Sequence, residues 1–214
     1  MTFAEIKTAI LARLEIQAGD TAKVTQVGQT VNQDYKRLAI EEKLQTAEAE
    51  IGFTADTPLV SCPATCGRVE QLRYNSTGVV LSPATAHEIA QARANYELNG
   101  QVLNGPTRYY WDGANQLRLD YVPETTDANP GLWMIYVVRP ADLSADGDEP
   151  DLLPAEYHDI LVEMGVYRWG LAEEELALAQ AAQAVAAELR VGLRDTIRQR
   201  SGGENNRVIR AVYG

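Results

Sequence analysis

The chain is short of cysteine, histidine and phenylalanine, with two of each in 214 residues. The cysteines stand close together, Cys62 and Cys66 in the stretch CPATC. Two cysteines build no disulfide framework, and a three-residue gap is wrong for a redox C-x-x-C pair. With His87 and His158 distant in sequence, no zinc set is expected. The pair reads as two reduced, partly buried thiols. No apolar run approaches the roughly 18 residues that span a bilayer. The opening MTFAEIKTAILARLEI carries acids and no A-x-A cleavage pattern, so it does not read as a signal peptide. Synthesis in the cytoplasm of the producing cell is expected. Bases are scarce as well: 19 Lys and Arg face 30 Asp and Glu, a net charge of −11. The deficit is uneven. Residues 188–214 hold six Arg against Glu188, Asp195 and Glu204, leaving −14 on the remainder. An acidic body disfavours general nucleic-acid binding, which needs clustered Lys and Arg. The basic end either meets an acidic protein surface or is simply solvated.

Catalytic signatures are missing too. No G-x-S-x-G, no H-E-x-x-H and no Gly-rich phosphate loop occurs. Tyr157, His158 and Asp159 stand in a row where a helix begins. Neighbours on a helix point about 100° apart, so His158 and Asp159 do not pair readily. Leu161 and Val162 occupy the positions one turn on, where an acidic partner would be needed. His87 lies beside Glu88 with no nucleophile close in sequence. Asp148, Glu149 and Asp151 fail the EF-hand spacing and read as a solvated acidic loop. No catalytic, metal-binding or cofactor-binding residue is assigned, and no cofactor is expected.

Periodicity divides what is present. Phe3, Ile6, Ile10 and Leu14 recur at helical spacing, with Thr2 and Glu5 as a capping box. A second helix carries the stripe Val27, Val31, Tyr35 and Leu38, ending at Glu42. These helices are placed within residues 1–50. Residues 51–140 change texture, with short β-rich runs between Pro and Gly. RYYWDGANQLRLDYV reads as two strands joined at Asp112-Gly113-Ala114-Asn115. A short helix at 83–96 interrupts, with Ser82 as N-cap and Pro83 at its first position. Residues 141–153 read as an acidic linker. One long helical pattern covers 154–199, about 69 Å at about 1.5 Å per residue, with a kink expected at 170–175. Such a length must kink, fold back or pack on something outside its own domain. Residues 200–214 read as an extended tail: a Ser-Gly-Gly hinge, then the alternating NRVIRAVY, suited to strand addition on a partner or else frayed. The expected class is α+β: a helical core of two N-terminal helices and a long C-terminal helix, an inserted antiparallel β module, and that tail. Tyr109, Tyr110, Trp111 and Tyr121 cluster on the hairpin, and Tyr157, Tyr167 and Trp169 on the long helix. Such residues suit an interface or a core equally.

Taken in order, these segments resemble the head-to-tail adaptor (head completion, or connector) proteins of tailed phages. VVRPADL is similar to that class's strand ending in R-P-x-x-L. An acidic stretch and LPAEYHDILV follow, like the class's L-P-x-E-Y-H-x-x-L-V at the start of a long helix. GPTRYYWDGANQLRLDYVP resembles its strand pair, and VNQDYKRLAIEEK its second helix. The Ala-rich stretch 177–187 and CPATC depart from the class. The resemblance implies a structural virion protein without catalytic residues, made in the host cytoplasm and placed in the neck between portal and tail. It implies a homo-oligomeric ring, typically of twelve copies, that binds the portal protein and extends the DNA channel. Genomic DNA would pass without sequence-specific contacts. The ring would offer a platform to tail or tail-completion proteins, and no membrane is involved. The helical parts would form the ring wall, with the β module outward or toward the tail. By the same analogy the portal contacts are Arg198, Arg200, Arg207, Val208, Ile209, Arg210, Val212 and Tyr213. The alternatives are a tail-completion or tail-terminator protein, and a small enzyme or host-interaction module using His158 or His87.

Overall fold

The computed structural model describes residues 1–17, 19–54, 57–99, 105–113, 115–121 and 131–212, with only the backbone of 97–99 and 201–212. In chain order the elements are α1 (Phe3–Arg13), α2 (Thr21–Glu41), β1 (Thr46–Ile51), β2 (Leu59–Ser61), β3 (Cys66–Tyr74), β4 (Ser82–Pro83), α3 (Ala86–Asn99), β5 (Arg108–Gly113), β6 (Gln116–Leu119), β7 (Leu132–Val138), a 3₁₀ turn (Ala155–Tyr157), α4 (Asp159–Ala172) and α5 (Leu176–Val212). They form two units. A helical unit takes Met1–Leu44 and Pro140–Gly214; a β unit takes Gln45–Arg139.

In the helical unit, α1, α2, α4 and α5 enclose one core. Ile6 and Ile10 of α1 meet Val31, Tyr35 and Leu38 of α2, with Ile160, Leu161 and Val166 of α4. The Thr2–Glu5 capping box starts α1, closing two backbone donors that a helix end leaves open. At Glu174 the backbone turns left-handed, with φ 63°. The Glu175 N–H donates to the Gly170 carbonyl at 2.7 Å, so α5 folds back along α4. A Cβ on Gly170 would lie 3.2 Å from both the Cβ and the backbone nitrogen of Ala179. Ala179, Ala182 and Ala186 are buried. The Ala-rich stretch is therefore the face that lets two helices approach closely.

The β unit holds two sheets, ordered β1-β7-β3 and β2-β6-β5-β4. β7 is central and buried, antiparallel to both neighbours. The core includes Leu72, Leu117, Leu119, Leu132 and Met134. Gly131 sits against the Phe53 ring, where an added Cβ would come within 2.0 Å of a ring carbon.

The expected fold class needs correction at four points. The long helical pattern from 154 is not one helix but a 3₁₀ turn and two helices, separated by residues 173–175 inside the interval expected to kink. The stretch from 200 to Val212 continues α5 instead of forming an extended tail. An already formed helix extends without a new nucleation cost, and this outweighs Gly202 and Gly203 at about 1 kcal/mol each. Residues 46–50, assigned to the N-terminal helical part, belong to β1 (Thr46–Ile51). Its Ala and Glu suit a helix, but pairing along β7 prevails. Finally, the β module is not purely antiparallel, because β4 pairs β5 in parallel.

Candidate functional site

His158, the residue with most claim to chemistry, is buried and fully used. Its Nε2 bonds the Leu153 carbonyl at 2.9 Å, and its Nδ1 faces the Met1 ammonium at 2.7 Å and the Met1 carbonyl at 3.1 Å. The ring thus ties the chain start to the approach of α4. Tyr157 turns away to bond Thr196 Oγ1 at 2.8 Å, with its ring against Gly192. Asp159 begins α4, at the positive end of the helix dipole. His87 is exposed on α3 and touches Gln91. The histidines therefore fall in separate units. Among the described residues no group of three His, Cys, Asp or Glu is placed to hold a metal. Cys62 and Cys66 are free and buried. Their mutual hydrogen bond, together with burial, raises the Cys62 thiol. The same bond lowers Cys66 against its own burial.

The acidic stretch 141–153 is fastened to α1 and α2. Asn32 clamps Leu143, accepting its N–H at 2.7 Å and donating to its carbonyl at 3.0 Å. The Tyr35 hydroxyl donates to Asp151 at 2.7 Å and accepts the Leu152 N–H at 2.9 Å. The carbonyls of Asp146 and Asp148 accept the N–H groups of Ala4 and Phe3, the open donors of α1. Asp148 turns its carboxylate back onto the Ser144 and Ala145 N–H groups, which lowers its pKa. The carboxylates of Asp148 and Asp151 thus serve as hydrogen-bond acceptors, while Asp142, Asp146, Glu149 and Asp151 stay exposed.

A feature missed in the sequence lies between α2, α4 and α5. Arg37, Arg168, Arg190 and Arg194 converge on a groove of about 470 Å³. Arg194 makes a bidentate pair with Glu42 at 2.7 and 2.8 Å. Arg37 and Arg190 share Glu41. Burial pushes Glu41 up, but its bonds to the two arginines prevail and hold it low. Asp34 lies in the groove floor, wholly buried, with Arg168 at 2.6 Å. Burial pushes its carboxyl up to about 6 against the pull of Arg168 and Arg37. Arg190 also reaches Glu42, its Nε 3.1 Å from Oε1. Arg190 and Arg194 are one turn apart, and the pair Glu41-Glu42 closes α2. That spacing was the available signal, hidden because the partners are about 150 residues apart.

The assigned portal contacts all fall in the last part of α5 or beyond it. Arg198 is exposed and lies 3.5 Å from Asp195; Arg200 is exposed. Arg207, Val208, Ile209, Arg210 and Val212 have helical backbone, with side chains outside the described residues. Tyr213 lies outside the described residues altogether. Ile197 is the last described side chain packed on the helical core.

The sequence profile of a protein family, described as SU10 adaptor protein, matches residues 1–210. The chain belongs to the SU10 adaptor protein family. No curated protein matches it significantly. The family assignment agrees with the adaptor resemblance drawn from VVRPADL, LPAEYHDILV and VNQDYKR. In the fold these three SU10 adaptor segments share one bonded cluster: Asn32 and Tyr35 of the third hold Leu143 of the first and the approach to the second. Among the described residues no helix is long and apolar enough to cross a membrane.

Proposed function

We propose that this chain is a structural head-to-tail adaptor of a tailed phage, assembled as a ring between portal and tail. Membership of the SU10 adaptor protein family over residues 1–210 carries this reading. The ring, of twelve copies by resemblance, extends the DNA channel and gives tail proteins a platform. A chain of net charge −11 suits that role, because like charge keeps passing DNA from sticking. The end of α5 is the portal-binding element, with Arg198 and Arg200 exposed at its start. The contacts assigned to it are Arg207, Val208, Ile209, Arg210, Val212 and Tyr213. Its backbone geometry favours a helix laid in a portal groove over an added strand. No step of this function needs catalysis.

The test is removal of residues 201–214. Circular dichroism should show the truncated chain folded, since the described core contacts end at Ile197. Binding to portal-bearing particles should be lost. Full binding by the truncated chain would reject the portal assignment.

A further inference from the structure

Among the described residues the helical unit leaves four large apolar side chains well exposed: Leu171, Leu176, Val185 and Val191. Two of them stand together. Leu171 and Leu176 flank Glu173, Glu174 and Glu175, the exposed turn between α4 and α5. This is a knob with three acids at its tip and an apolar residue on each shoulder. Val191 lies on the rim of the arginine groove, one turn past Ala187 and two past Gln183, both exposed on its lining. Val185 is exposed on the same helix. Four guanidiniums there face three carboxylates, those of Asp34, Glu41 and Glu42, so the cluster carries +1 in a chain of −11.

The guanidiniums are held by ion pairs within the chain, Arg190 Nε 3.1 Å from Glu42 and Arg168 2.6 Å from Asp34, so the cationic face is in place before anything docks. Knob and groove match in charge, and both carry exposed apolar residues at the edge. A head-to-tail contact between identical copies needs two complementary patches on one unit, and the turn and the groove are such a pair.

We propose that the Glu173–Glu175 turn of one copy inserts into the Arg168–Arg190–Arg194 groove of the next, and that this contact closes the ring. It rests on the adaptor reading above. The acids meet guanidiniums already held in place, and Leu171 and Leu176 cover the rim beside Val191. Complementary charge then sets register and direction, so that copies join in one sense only.

The test uses the full-length chain, supplied from a plasmid to the phage that encodes it after deletion of its own copy. The readout is the amount of chain in purified virions. Glu173→Lys with Glu175→Lys reverses the knob. Gln183→Glu with Ala187→Glu adds acid to the groove without removing an internal ion pair. Each double variant should melt like wild type, and each should enter virions at least about tenfold less, since like charges then face each other. Combining all four changes in one chain should restore incorporation, because a basic knob then meets an acidic groove. Wild-type incorporation by either folded double variant would overturn the proposal. So would a combined chain no better than its parts. A photoreactive residue at 187 gives a second reading: the expected adduct joins it to residues 171–176 of another copy, and adducts only elsewhere would also overturn it. If the wild-type chain itself is absent from virions, the adaptor reading fails, and this contact with it.

Discussion

Replacing Asp34 by Asn should remove a pH dependence of stability that lies between about pH 4 and pH 6. The carboxyl is wholly buried in the floor of the arginine groove. Burial is the largest influence on it and raises its pKa from 3.8 to about 6, with Arg168 and Arg37 opposing. The folded chain therefore holds this proton more tightly than the unfolded chain. Stability from this group is complete below pH 3.8 and is lost as pH rises through about 6. A rise of that size corresponds to about 3 kcal/mol. Typical domains have only about 5–15 kcal/mol in total, so the loss is large enough to measure. Asn imitates the neutral acid and does not titrate. Arg168, more than a third exposed, keeps its hydration when the charge opposite is removed. Urea unfolding at a series of pH values, with wild type and Asp34→Asn side by side, gives the comparison. The two should agree near pH 4, and the variant should be the more stable near pH 7. If Asp34→Asn is instead weaker at pH 7 than at pH 4 relative to wild type, the Arg168 ion pair outweighs desolvation and the reasoning is wrong.

Other changes follow from the same contacts. Tyr35→Phe leaves Asp151 and the Leu152 N–H without their buried partner and should cost about 1–3 kcal/mol in urea unfolding. His158→Ala removes the ring that bonds Leu153 and Met1 and should cost about 2 kcal/mol or more, with a cavity left behind. Gly170→Val places methyl groups against the backbone of Ala179; overpacking of about 1–3 kcal/mol should lower the melting temperature. An unchanged melting curve would show that α4 and α5 are not so close. Leu193→Ala, at a wholly buried position of α5, should cost about 2–5 kcal/mol by the same assay.

Local signals carried much of the fold. The Thr2–Glu5 box and the Val27, Val31, Tyr35 and Leu38 stripe depend on neighbours within a few turns, and both stand as read. The hairpin of β5 and β6 follows its turn residues, with Gly113 and Asn115 at positive φ. Where two local signals competed, the choice was open. Ser82-Pro83 suggested a helix start, but Thr85 and Glu88 make the reciprocal cap three residues later, which leaves Ser82 and Pro83 to β4. Long-range partners were not legible. TAEAEI becomes a strand only because β7 is beside it. The acids of 141–153 suggested solvation, and most are exposed, but the bond that Asp151 accepts from Tyr35 could not be read from its neighbours. The arginine groove needed α2 and α5 together, from opposite ends of the chain. Tyr157 and Trp169 pack on the helical core, whereas Trp111 stays exposed, so neither reading of the aromatic residues covers all of them.

Electron cryo-microscopy of the assembled phage neck addresses the adaptor role most directly. Density for this chain should form a ring of twelve copies between portal and tail, with the end of α5 against the portal. Density for it at the tail tip or the capsid wall, or no copies in the particle, would contradict that role.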